Sequence, residues 1–229
     1  MSHRAYDAIS GAKVIVGYDT YLKLIEDMLA GKEVIGTGMT QEIDRCQAAV
    51  EEALAGKTVA VVSSGDPGIY GMAGLVLELV NKYPLAVQPE VVIVPGISAI
   101  GAAAAILGAP LMHDFAVISL SDLLTPWDVI EKRIEMAAAG DFVVALYNPK
   151  STRRVIQIEK VREIMLRYRS DSTPVGIVRH AARPKQSMKL AELASFTSEH
   201  IDMFSLVVIG NSQTYVSGDR MITPRGYVI

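Results

Sequence analysis

The stretch Val59-Ala60-Val61-Val62-Ser63-Ser64-Gly65-Asp66-Pro67-Gly68-Ile69-Tyr70-Gly71 constrains the fold more than any other part of the chain. Four small or β-branched apolar residues without alternation predict a strand covered on both faces. Ser64-Gly65 then frees the backbone. Asp66 is placed to accept hydrogen bonds from the first N–H groups of a following helix, and Pro67 suits the first helical position, where its missing N–H costs nothing. The loop therefore sits at the carboxyl end of a strand, the edge of an open α/β sheet at which backbone groups converge on ligands. Taken alone, the fragment is equally well described as a tight strand-to-helix turn, so the rest of the chain has to decide.

At 229 residues the chain can bury one large core or two smaller ones. Half of it is hydrophobic and 21% is charged, which excludes a disordered chain. The richest apolar run, Ile97 to Met112, is broken by Ser98, Gly101, Gly108 and Pro110, so no membrane helix is expected. Met1-Ser2-His3-Arg4 lacks the pattern of a signal peptide, and the lone Cys46 cannot form an internal disulfide; both fit a cytoplasmic protein. A net charge of −3 gives no reason to expect nucleic acid.

Periodicity and turn residues predict alternating elements. Helices are expected over 1–11, 20–30, 41–55 and 67–83, with strands over 13–17, 33–36, 59–62 and 90–94. Pro95-Gly96-Ile97-Ser98-Ala99-Ile100 then launches a helix of small residues, Gly101 to Ala105. Strands follow over 115–120, 142–147, 173–178 and 205–210, with helices over 126–138 and 151–169, the second capped by Ser151. Arg179 to Lys185 reads as a basic, proline-stopped loop, and Ser187 to Ala194 as a further strand or strand-helix unit. This alternation implies an α/β protein with two consecutive domains and mainly parallel sheets. The boundary is placed near His113-Asp114, giving domains 1–113 and 114–229.

Three strand ends carry unusual chemistry: Ser64-Gly65-Asp66-Pro67, Pro95-Gly96-Ile97-Ser98-Ala99 and Leu146-Tyr147-Asn148-Pro149. A fourth, Val175-Gly176-Ile177-Val178, runs straight into the basic loop. With Val16-Gly17-Tyr18-Asp19-Thr20-Tyr21, Ile209-Gly210-Asn211-Ser212-Gln213-Thr214 and Thr223-Pro224-Arg225-Gly226-Tyr227, these blocks resemble the tetrapyrrole methylase family, and within it the C17-methylating branch of corrin synthesis. Members of that family open with a strand and a Gly-x-Gly-x-Gly loop. Here the similarity begins near His3-Arg4-Ala5, so either the start has been lost or misassigned or the N-terminal domain lacks that first strand.

The resemblance implies the tetrapyrrole methylase fold, with S-adenosylmethionine bound in a cleft between two domains. By the same resemblance Ser64, Gly65, Asp66, Ile69, Ser98 and Ala99 line the cofactor from the first half, and Tyr147, Asn148 and Gly176 close it from the second. The implied substrate is a tetrapyrrole, precorrin-3B or cobalt-factor III, and the implied assembly a homodimer. Methylation with ring contraction turns a hydroxyl into a ketone and calls for a general base. His113, His180 and Asp19 are the candidates by residue type; a surface or loop role for the histidines and helix capping for Asp19 stand beside that reading. Arg179, Arg183 and Lys185 could pair with substrate carboxylates. Lys150, Arg153 and Arg154 could do the same or form a solvated face. No metal site is expected. A methylase of other regiochemistry and a cofactor-binding scaffold remain as alternatives.

Overall fold

The computed structural model describes residues 1–228. It divides into two compact units, Met1–Ser98 and Ala99–Ile229. The division falls earlier than the boundary expected at His113-Asp114. The small-residue helix α5 (Ala99–Leu107) lays Ile100, Ala103 and Leu107 against the second sheet, and its packing assigns it to the second unit.

In the first unit, α1 (His3–Gly11) is capped by Ser2, whose hydroxyl accepts from Ala5 N at 3.2 Å. It is followed by β1 (Val14–Tyr18), α2 (Asp19–Leu22), β2 (Glu33–Thr37), α3 (Glu42–Leu54), β3 (Val59–Val62) and α4 (Ala73–Val80). The sheet order is β2-β1-β3, parallel throughout. Side chains alternate between faces along β1, and this places the core. Val14 and Val16 meet Ala49 of α3, while Ile15 faces Ile9, Leu22 and Ile25. All three strands point the same way, so Tyr18, Thr37 and the Ser63–Asp66 turn emerge along one edge.

Four local expectations change. The helix expected over 20–30 breaks at Ile25 (φ −129°). The helix expected from Pro67 becomes regular only at Ala73, because the chain first winds through a turn with Tyr70 at φ 54° and Ala73 N bonded to Pro67 O. The β3 run is half-buried rather than covered, since it borders its sheet. Residues 90–94 carry the apolar continuity of a strand yet pair with none among the described residues, leaving Val92 and Ile93 exposed. Composition can favour an extended chain, but a ladder needs a neighbour.

The second unit continues from α5 with β4 (Gly108–Ala109), β5 (Phe115–Ser119), α6 (Trp127–Ala139), β6 (Val143–Tyr147), α7 (Gln157–Leu166), β7 (Pro174–Arg179), β8 (Ser187–Glu192), β9 (Ser205–Ile209), β10 (Tyr215–Ser217) and β11 (Arg220–Ile222). Its main sheet runs β5-β6-β9-β7-β8. The α/β class holds, but parallel pairing here is confined to β5–β6; the other neighbours are antiparallel. One face packs Leu146, Ile177 and Val207 beneath Ile130 and Ile134 of α6 and Ile158 and Val161 of α7. The other packs Ala145, Val178 and Val208 beneath α5.

Gly176 is explained by this second face. A Cβ there would stand 2.5 and 2.6 Å from the two Leu107 methyl carbons, and Leu107 is fully buried. Gly176→Ala is expected to destabilise the protein by about 1–3 kcal/mol, the usual cost of overpacking. A drop of several degrees in the thermal midpoint would register it; an unchanged midpoint would show that α5 is not seated on β7.

Candidate active site

The Ser64–Tyr70 turn is held to the Pro95–Ser98 turn by a single carboxylate. Asp66 Oδ2 accepts from Gly96 N at 2.9 Å, and Oδ1 accepts from Gly68 N at 2.8 Å. These N–H groups, Gly96 first, hold the Asp66 carboxyl below the ordinary aspartate range. The side chain read from the sequence as a helix cap is therefore a bridge between two loops. Gly96 lies so close to Gly65 O that a Cβ could not be placed there without collision. Ser63 Oγ accepts from Met72 N at 3.2 Å and anchors the far side of the turn. Gly65, Gly68, Ile69 and Tyr70 are left exposed, so the turn offers a ligand backbone groups and apolar surface while its one charge is occupied internally.

In the second unit the corresponding turn follows β6. Tyr147 Oη accepts from Ile100 N at 3.0 Å, tying the end of β6 to the first turn of α5, next to Ala99. Asn148 takes a left-handed φ of 49°, which asparagine tolerates better than most side chains, and its Nδ2 donates to Ser119 Oγ at 3.0 Å. Arg154 Nη2 donates to Asn148 O at 2.8 Å, and Arg154 Nη1 lies 3.8 Å from Asp122. Arg154 thus supports the Tyr147–Asn148 turn instead of presenting a free charge. Ser119 and Arg154 were not legible as turn supports, because their partners lie 29 and 6 residues away on no recognisable spacing. Ser151 Oγ accepts from Arg154 N at 3.0 Å but caps a local turn, since α7 starts only at Gln157. Tyr147→Phe is expected to cost about 1 kcal/mol by leaving Ile100 N without its acceptor. Chemical denaturation checks it, and no change would mean that water replaces the phenol without loss.

The three base candidates are not gathered at one place. Asp19 opens α2 at the end of β1, with its carboxylate against Gly36. β9 runs antiparallel to both β6 and β7, so β5, β6 and β7 share a direction, and their ends at Ser119, Tyr147 and Arg179 lie on one edge of the sheet. His180 follows β7 and emerges on that edge, stacked on Phe204 with ring centroids 4.8 Å apart. His113 precedes β5 and lies at the opposite edge, where Nδ1 accepts from Asp114 N at 2.8 Å. Within the second unit the sheet direction therefore separates the two histidines, which sequence spacing could not do.

Of the basic residues, Arg179 is already paired. Its Nη2 meets Asp202 Oδ2 at 2.5 Å with Nε at 3.2 Å, and the carboxylate raises the pKa of the guanidinium. Lys185 is exposed and Arg183 half-buried on the loop that closes the β7–β8 hairpin. Cys46 is buried in α3, 3.8 Å from Met72 Sδ, and burial raises its thiol pKa. No cluster of metal-ligating side chains occurs among the described residues. No helix of the described chain is long and apolar enough to cross a membrane.

Both α/β units carry turns at the carboxyl ends of parallel strands, the edge at which open α/β sheets bind small molecules. Comparison with known proteins goes further: the family of tetrapyrrole (corrin/porphyrin) methylases matches residues 1–197, and the chain belongs to it. It is 52% identical over 229 residues to a cobalt-factor III methyltransferase of Priestia megaterium, covering 99% of this chain and 42% of that one. It is also 52% identical to a probable cobalt-factor III C(17)-methyltransferase of Salmonella typhimurium, covering 100% of this chain and 94% of that one. The chain thus spans less than half of the first relative and nearly all of the second. Among solved structures the methyltransferase CobJ superposes with a TM-score of 0.92 at 39% identity, covering 98% of this chain and 93% of that one. The cobalt precorrin-4 methyltransferase CbiF, at 23% identity and a TM-score of 0.74, shares the fold.

Proposed function

We propose that the chain is an S-adenosylmethionine-dependent C-methyltransferase of cobalamin synthesis that methylates C17 of cobalt-factor III or precorrin-3B with contraction of the ring. The names and identity of the relatives support the substrate and the position. The Asp66 bridge carries the chemistry on this chain, because it builds a loop pair whose outward surface is backbone and apolar. Such a surface fits S-adenosylmethionine. Its adenine and amino-acid end can be read by main-chain groups. Ser64, Gly65, Asp66, Ile69 and Ser98 are the candidate cofactor contacts on the first unit, and Ala99, Tyr147 and Asn148 those on the second. Gly176 serves them indirectly by seating α5.

The cofactor supplies an activated methyl group. The protein's tasks are to align a carbon nucleophile with that methyl and to exclude water, since the reacting sulfonium loses charge along the path. Ring contraction also releases a hydroxyl proton. His180 is assigned as its acceptor because it shares an edge with Tyr147, whereas His113 lies at the other edge. Asp19 remains the corresponding group on the first unit. Arg183 and Lys185, on the loop after His180, are the proposed partners of substrate carboxylates; Arg179 is instead paired with Asp202. The working form is a cytoplasmic homodimer.

Incubation with cobalt-factor III and methyl-labelled S-adenosylmethionine tests this reading. The expected product carries one added methyl at C17 and a contracted macrocycle. Transfer to a different ring carbon would identify a methylase of other regiochemistry, and cofactor binding without transfer would leave a scaffold.

A further inference from the structure

α3 carries a buried cation two of whose three nitrogens have no hydrogen-bond acceptor. The Arg45 side chain is 3% exposed, yet its Nε and Nη1 atoms are buried without a hydrogen-bond partner. The carboxylate nearest to it, Glu42 Oε1, is 3.7 Å from Nη2, beyond hydrogen-bond reach, and Glu42 is itself 43% exposed. Arg45 otherwise stacks over the Tyr18 ring at 5.8 Å from its centroid. A second orphan lies on the strand paired with that of Tyr18: Thr37 Oγ1 is buried and unbonded. Tyr18 and Thr37 are register partners at the ends of β1 and β2. By strand alternation they continue the rows Val14–Val16 and Ile35 that face Ala49, and Arg45 is one helical turn before Ala49. The apolar layer between α3 and the sheet therefore ends, at the carboxyl edge of the strands, in a hydroxyl and a guanidinium whose Nε and Nη1 lack acceptors.

A structural buried arginine in the same chain looks different. Arg169, also 3% exposed, leaves only its Nε without a partner: Nη1 donates to Ala138 O at 2.8 Å and meets Asp141 at 3.1 Å, and Nη2 donates to Phe142 O at 3.3 Å. A desolvated charge without such acceptors is strongly unfavourable, so Arg45 is kept for a group outside the described chain. We propose that Arg45 and Thr37 receive a carboxylate, supplied by an acidic side chain of the macrocyclic substrate. A guanidinium fork matches two carboxylate oxygens, and the hydroxyl adds a third donor. This rests on the polyacid tetrapyrrole reading above. The methionine carboxylate of the cofactor has the same chemistry. The cofactor turn, however, follows β3, on the far side of β1 from Thr37.

The test measures binding rather than turnover. Purified wild type, Arg45→Met, Arg45→Lys and Thr37→Val are titrated with the octacarboxylate uroporphyrin III, with its octamethyl ester and with S-adenosylmethionine. Arg45→Met is expected to melt at or above the wild-type temperature, since it removes an unsatisfied charge without removing volume. It should weaken uroporphyrin binding about tenfold or more, leave ester and cofactor binding unchanged, and be partly rescued in Arg45→Lys. Thr37→Val should lose less. Wild-type binding of uroporphyrin that neither Arg45 variant alters would overturn the assignment while leaving the methyltransferase reading intact. A loss confined to S-adenosylmethionine would also overturn it, by giving the carboxylate to the cofactor. Failure of the wild type to bind the acid at all would overturn both.

Discussion

Asp66→Asn is expected to weaken S-adenosylmethionine binding about tenfold or more while leaving the second unit folded. The carboxylate accepts one N–H on each oxygen, from Gly68 and from Gly96. An asparagine amide can accept only on one side and turns a donor toward the other N–H, so one loop must retract. Calorimetric titration with the cofactor reads the loss directly. Undiminished affinity would show that the two turns stand without the bridge. The pH dependence has a definite sign. The Asp66 pKa is lowered in the fold, so its contribution is complete above the ordinary aspartate value of about 3.9 and disappears as the pH falls through the lower, folded value. Acid should thus loosen the wild-type turns only below about pH 4, with Asp66→Asn already loosened and insensitive there.

Gly96→Ala is expected to be more damaging still. The added carbon would strike Gly65 O and crowd the Asp66 backbone, and neither neighbour is the flexible end of a side chain. The turns can make room only by breaking the Gly96 N–Asp66 bond, so overpacking and the lost hydrogen bond act together. The expected result is loss of measurable cofactor binding, with the first unit destabilised by about 2–4 kcal/mol. A variant that binds the cofactor normally would refute the close apposition of the two loops.

How much of this was legible in the sequence depends on the range of the interaction. Continuous apolar runs revealed β1, β6, β7 and β9, because burial of both faces writes itself into consecutive residues. The same rule misread residues 90–94, where the composition is right and the partner is missing. The Gly-Asp-Pro turn was recognisable, but the role of Asp66 was not, since its decisive partner is 30 residues away. Direction within the second sheet was equally hidden. Alternating strands and helices implied parallel pairing, and the antiparallel placement of β9 between β6 and β7 is what puts His180 and Tyr147 on a common edge. Arg45 lay unremarked on an amphipathic helix, because burial without a partner is a property of packing alone.

The measurement that bears most directly on the account is a crystal structure with S-adenosylhomocysteine bound. The account predicts the ligand in contact with the Gly65–Ile69 turn, with the Asp66 bridge to Gly96 intact. A ligand bound away from that turn, or one whose binding breaks the bridge, would contradict it.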